Sequence, residues 1–207
     1  MMMDASKFGF RDEFYKIQLQ GLLKDICGVY SLFCQSGVVL PNDENTIRDE
    51  FGKYLQDDMY KGSFTQYALF YQVDTEVREG ANGRTDIRFL QVSPYEGQHV
   101  YFTVECKRLD GKRHLCKEYV DNGIRRFTTE KYPTRLGCNA MLGFVVCAID
   151  LTATVGMINS YLDQTEHLSV VDSSTCSLAC LESHHSTPHF FDIFHLWMDF
   201  SGLVSTN

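Results

Sequence analysis

The sequence predicts a mixed α/β sandwich, helices packed on a sheet with one helix crossing between two strands. Three observations carry that expectation. Residues 10–35 place Phe14, Ile17, Leu22, Ile26, Tyr30 and Phe33 at helical spacing. Residues 69–77 and 84–92 alternate around the turn cluster "REGANG", as the arms of a hairpin do. Residues 141–149, "MLGFVVCAI", are one continuous apolar run, the pattern of a strand buried on both faces.

In chain order, the first helix is "FRDEFYKIQLQGLLKDICGVYSLFCQ". "PNDENTIRDEFGKYLQDDMY" predicts a second, with Asn42 or Asp43 as cap and Ile47, Phe51 and Leu55 on one stripe. The hairpin "LFYQVDTEV" and "RTDIRFLQV" follows, and after the loop "SPYEGQ" comes a third strand, "HVYFTVECKR". Beyond the turn "LDGK", "RHLCKEYVDNGIRRFTTEKY" reads as a helix with Leu115, Tyr119, Ile124 and Phe127 inward, although Gly123 weakens it. The buried strand is followed by a helix, "TATVGMINSYLDQ", and two terminal strands, "CSLACLESHH" and "FFDIFHLWMDF". No repeat, low-complexity tract or linker divides the chain. The expectation is one domain over residues 1–207: a helical segment (1–40), a core (41–150), and a C-terminal helix with strands (151–207).

A chain of 207 residues can bury a full core, and 44% hydrophobic with 22% charged residues is ordinary for a globular protein. No apolar run reaches the roughly 18 residues of a membrane span. The first residues mix in acids, unlike a secretory signal. A cytoplasmic location, with the eight cysteines reduced, is the corresponding expectation. The net charge of −8 excludes a protein coated in basic residues, but the charge is uneven. Residues 84–135 carry 11 of the 19 Lys and Arg against 7 acids, a balance of +4 that leaves −12 elsewhere. From residue 136 onward there is no Lys or Arg. Contact with a polyanion is therefore expected through the middle third.

Two of the predicted strands carry an acid in an apolar setting: Asp86 in "GRTDIRF" and Glu105 in "YFTVECKR". An isolated buried carboxylate is costly, so each needs a counter-charge. Side chains alternate along a strand, which puts Glu105 and Lys107 on one face and Cys106 on the other. If the two strands pair, one register adds Asp86 to that face. Two carboxylates, the Cys106 backbone carbonyl and water make a hard oxygen site suited to Mg²⁺ or Mn²⁺. Lys107 beside it can hold or deprotonate a water. The plainer alternative has Asp86 capping a turn and Glu105 with Lys107 as a solvent-facing pair. The alternation of Val100, Phe102 and Val104 with Tyr101 and Thr103 argues instead for an interior strand.

These residues resemble the PD-(D/E)XK, or restriction-endonuclease-like, nuclease superfamily. Asp86 matches its first acid and Glu105-Cys106-Lys107 its E-X-K element, over an αβββαβ pattern spanning about residues 40–150 with extra C-terminal strands. The usual proline before the acid is replaced by Thr85. The resemblance implies Mg²⁺- or Mn²⁺-dependent hydrolysis of DNA phosphodiester bonds, leaving 5′-phosphate and 3′-hydroxyl ends. It assigns Asp86, Glu105 and the Cys106 carbonyl to the metal, and Lys107 to the attacking water. An acid from the first core helix often joins the metal in this family. Glu44 shares the Ile47, Phe51, Leu55 stripe and is expected there ahead of Glu50, Glu76 and Glu79. The crossover helix often meets the substrate, and Tyr119, Gly123 and Arg126 share one of its faces. The nucleic-acid contacts expected are Arg84, Arg108, Lys112, Tyr119, Arg125 and Arg126. A restriction or phage-defence role fits a lone nuclease domain. The acidic remainder favours a homo-oligomer or a subunit that a partner protein delivers to DNA.

A competing constellation lies near the C-terminus: Cys176, Cys180, His184, His185, His189 and His195. It opens the alternative of a non-catalytic nucleic-acid-binding or assembly protein that keeps the fold and holds structural zinc there. The spacing fits no common zinc module. A Cys/His nucleophile pair is open as well, and nothing in the spacing selects one.

Overall fold

A computed structural model describes residues 10–57, 71–78, 84–91, 101–134, 136–171 and 178–205. Helix α1 (Phe10–Gln35) buries Tyr15, Leu19, Leu22, Ile26, Val29 and Phe33, a stripe that advances by three or four residues. Phe14 and Ile17, expected inward, stay 53% and 48% exposed. The stripe starts at Tyr15 instead, whose ring meets Phe102 edge-on. Helix α2 (Glu44–Gln56) starts where Asp43 accepts the Thr46 backbone N–H and hydroxyl, both at 2.9 Å. Its buried face holds the expected Ile47, Phe51 and Leu55, together with Arg48.

Strands β1 (Tyr71–Arg78) and β2 (Arg84–Gln91) form the expected antiparallel hairpin, and β3 (Tyr101–Leu109) pairs antiparallel with β2. The chain then crosses through α3 (Arg113–Tyr119), a π-helical turn (Val120–Ile124) and α4 (Arg125–Thr128). It returns as β4 (Cys138–Val145), parallel to β3 and buried at every position. A parallel neighbour requires such a crossover. The single helix expected over residues 113–132 is thus interrupted at Gly123. A Cβ on that residue would lie 2.4 Å from the Met141 methyl and 3.4 Å from Lys107 Cγ. The helix sits close enough to the sheet here that a Cβ would require the end of the Met141 side chain to move.

After β4 come α5 (Leu151–Asn159), a 3₁₀ turn (Gln164–Glu166), β5 (Ser169–Val170), β6 (Ala179–His185) and β7 (Phe191–Asp199). The sheet is seven-stranded and mixed, in the order β1-β2-β3-β4-β7-β6-β5. Strand β7 enters parallel to β4 and antiparallel to β6. Helices cover both faces. On one, α1 and α2 bury Phe33, Phe51, Phe102, Val104, Cys106 and Phe200. On the other, α3, the π turn and α4 bury Tyr119, Phe127, Met141 and Trp197. The architecture is a mixed α/β sheet flanked by helices, and no described helix is long and apolar enough to cross a membrane.

Candidate active site

Period-two alternation on β3 sends Phe102, Val104 and Cys106 to the α1–α2 side. It sends Glu105 and Lys107 to the side of the crossover helices. The hairpin ladder pairs Ile87 with Val104, so the next step brings Asp86 opposite Glu105 on that same face. All three are buried: Glu105 is 0% exposed, Lys107 6% and Asp86 8%. The Cys106 thiol, 0% exposed on the other face, is pushed well up by burial and is held as an unreactive thiol.

Each charge has partners. Lys107 Nζ lies 2.8 Å from Glu44 Oε1 and 2.8 Å from Glu105 Oε1, and donates to the Cys106 carbonyl at 2.9 Å. Glu44 accepts the Arg108 backbone N–H on its second oxygen at 3.0 Å. Asp86 accepts Arg48 Nη1 on Oδ1 and the Cys106 N–H on Oδ2, each at 2.9 Å. Glu105 Oε2 accepts the Tyr132 hydroxyl at 2.7 Å and Arg126 Nη1 at 3.0 Å. Its Oε1 is within 2.8 Å of both Lys107 and Arg126 but takes no well-aligned hydrogen bond. That oxygen has acceptor capacity to spare in a buried place.

Burial, then repulsion from Asp86, pushes the Glu105 carboxyl up to about 7 against the pull of Lys107 and Arg126. Burial opposes the Lys107 charge, yet Glu105, Glu44 and Asp86 together hold its ammonium above the ordinary lysine value. Arg48 is likewise held charged, Asp49 and Asp86 outweighing its burial. The Lys107 ammonium serves here as a donor to Glu44 and the Cys106 carbonyl.

Asp86, Glu105, Lys107, the Cys106 carbonyl and Glu44 thus come together as the sequence suggested, and Arg126 joins them. Glu50 instead pairs with Lys53 at the surface. Glu79 and the side chains of Glu76 and Arg84 lie outside the described residues. Tyr119 does not face substrate: it is fully buried, and its ring packs against His195 and Trp197. Tyr119 and Arg126 both turn toward the sheet, Tyr119 to His195 and Arg126 to Glu105. Lys112 is exposed, Arg108 donates to the Asn42 side chain at 2.8 Å, and Arg125 and Lys117 both pair with Asp121. Sequence reasoning missed Arg48 and Tyr132. A single arginine beside an apolar stripe reads as solvated, and Tyr132 meets Glu105 only because the crossover folds back.

The C-terminal Cys/His set does not converge. Cys176 lies outside the described residues, and Cys180 packs against the α1 side. His189 bonds Thr134. His185 and His195 belong to a buried chain on the opposite face. Trp197 Nε1, which can only donate, reaches the Tyr119 hydroxyl at 3.1 Å, and that hydroxyl meets His195 Nδ1 at 2.9 Å. His195 Nε2 and His185 Nε2 each lie 2.9 Å from the Ser183 hydroxyl, and His185 Nδ1 lies 3.1 Å from Glu166. With Tyr119 accepting from Trp197, one arrangement gives every hydroxyl hydrogen and ring N–H along the chain an acceptor. Both imidazoles are then neutral, His195 protonated on Nε2 and His185 on Nδ1. Burial agrees, pushing His195 down to about 3 and lowering His185. No family model, curated protein or solved structure matches the chain.

Proposed function

We propose that this protein is a Mg²⁺- or Mn²⁺-dependent endonuclease of the restriction-endonuclease-like type that hydrolyses DNA phosphodiester bonds. The observation that carries the reading is the Lys107 ammonium, held between Glu44, Glu105 and the Cys106 carbonyl, with Asp86 on the adjoining strand. The succession of hairpin, E-X-K strand, crossover helix and parallel buried strand supports the same fold assignment.

The donor set fits a hard divalent cation: two carboxylates, one with an oxygen to spare, and a backbone carbonyl. Bound there, Mg²⁺ would supply Lewis acidity toward a phosphoryl oxygen. Asp86 and Glu105 would hold it. Tyr132 and Arg126 fix the Glu105 carboxylate with its Oε1 between Lys107 and Arg126. Lys107 would orient the attacking water and meet charge developing on the phosphate. Arg108, whose backbone N–H holds Glu44, and the exposed Lys112 beyond β3 would take backbone phosphates. Four acids (Glu44, Asp49, Asp86, Glu105) face three cations (Arg48, Lys107, Arg126). A dication therefore adds a net positive charge that a DNA phosphate balances, so cation and DNA should bind better together than apart. A restriction or defence role, in an oligomer or with a delivering partner, is the setting this proposal favours.

The second reading is a non-catalytic nucleic-acid-binding or assembly protein. It is favoured by Arg48, whose bond to Asp86 helps the cluster close on itself without a cation. Incubation with supercoiled and linear DNA, with Mg²⁺ or with chelator, separates the two. Cleavage that needs the cation and disappears in Lys107→Ala and Glu105→Gln supports the nuclease; DNA binding with no cleavage returns the protein to the second reading.

A further inference from the structure

Glu182, His184 and Asp192 meet on the sheet face opposite Glu105. Their ligand atoms all lie within 4.8 Å of one another. The placement follows from pairing: His184 and Asp192 are directly opposed on the antiparallel β6–β7 ladder, and Glu182 is two residues along β6 on the same face. Neighbouring residues confirm which face it is. Leu181 and Ile193 belong to the core under the crossover helices, whereas Cys180 and Phe194 pack toward α1.

We infer that Glu182, His184 and Asp192 form a binding site for a borderline divalent cation of the zinc class. Two carboxylates and one imidazole are the donor mixture such ions take, and the imidazole nitrogen distinguishes the site from the all-oxygen cluster at Glu105. The spacing suits one ion. Ligands about 2.0–2.2 Å from a tetrahedral metal lie about 3.4 Å apart. His184 Nδ1 is 3.6 Å from Glu182 Oε1 and 2.7 Å from Asp192 Oδ1. The first separation already matches, and the second needs to widen by less than an ångström.

Lys16 of α1 pairs with the other Asp192 oxygen, Oδ2, which leaves Oδ1 directed at His184. A carboxylate ligand held on its outer oxygen is oriented in advance, as the supporting shell of metal sites requires. The His184 side chain is 61% exposed while those of Glu182 and Asp192 are 20% and 11% exposed, so an ion has an open approach and two partly desolvated acids. Three protein ligands leave one position to solvent. Cys180, the described cysteine of this region, is not within the group. An ion here would staple β6 to β7 and tighten the strand that receives α1.

The test is titration of the metal-free, reduced protein with Zn²⁺, and with Co²⁺ as a spectroscopic substitute, alongside thermal unfolding. One ion bound with micromolar affinity, a raised Tm, and at least a tenfold loss of affinity in both His184→Gln and Asp192→Asn are expected. Asp86→Asn with Glu105→Gln should leave this binding unchanged, which separates it from the proposed nuclease metal. His184 is exposed, so its variant should fold, and an unaltered far-UV spectrum checks that. Absence of saturable binding overturns the assignment. So does binding that survives His184→Gln, or a Co²⁺ complex with sulfur-to-metal charge-transfer absorption.

Discussion

Glu105 and His195 lie in one row of the sheet with Met141 between them, and both are buried under the same layer of helices. Around Glu105 the buried polar groups are ion-paired side chains, joined by the Tyr132 hydroxyl. Around His195 they are neutral, one donor to each acceptor from Trp197 through to His185. The two regions meet the cost of burial by opposite routes. Ion pairs leave the Glu105 cluster with a buried oxygen that is not fully matched, while the histidine chain is closed. A closed neutral chain holds a fold together. A cluster of charges with spare capacity is the feature on which the proposed cation and phosphate binding rests.

That contrast breaks first at activity. Lys107→Ala and Glu105→Gln should lower plasmid cleavage by about 10²–10³-fold or more, the scale of losing one preorganised electrostatic group. Tyr119→Phe should leave the rate nearly unchanged. If Tyr119→Phe lowers cleavage as far as Lys107→Ala does, the chain is part of the chemistry and the division is wrong.

Stability comes next, with the opposite weighting. Ser183→Ala removes the hydroxyl shared by His185 and His195 and leaves two buried ring nitrogens unpaired, an expected loss of about 1–3 kcal/mol in urea unfolding. Gly143→Ala places a Cβ 2.5 Å from the Trp197 ring and 2.9 Å from a Leu109 methyl. A fully buried ring cannot move aside cheaply, so about 1–3 kcal/mol is expected there too. Gly123→Ala meets only the flexible end of Met141 and should cost less.

The smallest effects are in pH dependence, measured with chelator present. His195 and His185 titrate below their ordinary 6.5 in the folded protein, so the unfolded chain binds more protons as pH falls through that value. Their contribution is present at neutral pH and is lost on acidification, by up to about 1.4 kcal/mol per pH unit for each group. Glu105 has the opposite sign: raised from 4.5 to about 7, its contribution is present below 4.5 and is lost as pH rises through 7. Between pH 4.5 and 6.5 the slopes oppose. Glu105→Gln should therefore steepen the rise of stability with pH, and His195→Gln should flatten or reverse it. Ring nitrogen shifts in NMR should also show His195 neutral, with its proton on Nε2, down to pH 5.

Much of the fold was legible because periodicity is local. The helix stripe at Ile47, Phe51 and Leu55 held, and β4 is buried throughout. It spans Cys138–Val145 rather than 141–149, however, and Cys147 and Ala148 at the end of the expected run are exposed. Helix α1 was misphased at its start because Phe14, Tyr15 and Ile17 are all apolar. Only Phe102, on a strand far along the chain, selects Tyr15. The π turn was visible only as a weakness at Gly123, because the close packing of that residue on Met141 of β4 is a tertiary contact.

The sequence by itself determined that Glu105 and Lys107 share a face and that Asp86 can join them, because strand geometry repeats every two residues and pairing preserves the face. It determined the crossover as well, since a hairpin and a third strand followed by a helix and a wholly apolar strand leave few other ways to bury both. Only the tertiary structure decided which partners answer those charges. Arg48 reaches Asp86 from α2, and Tyr132 reaches Glu105 from beyond the crossover. Tyr119 was withdrawn from the surface to begin a chain that ends at Glu166. Such pairings depend on the order of strands and the seating of helices across tens of residues, where electrostatics and hydrogen bonding act through space and leave no periodic trace along the chain.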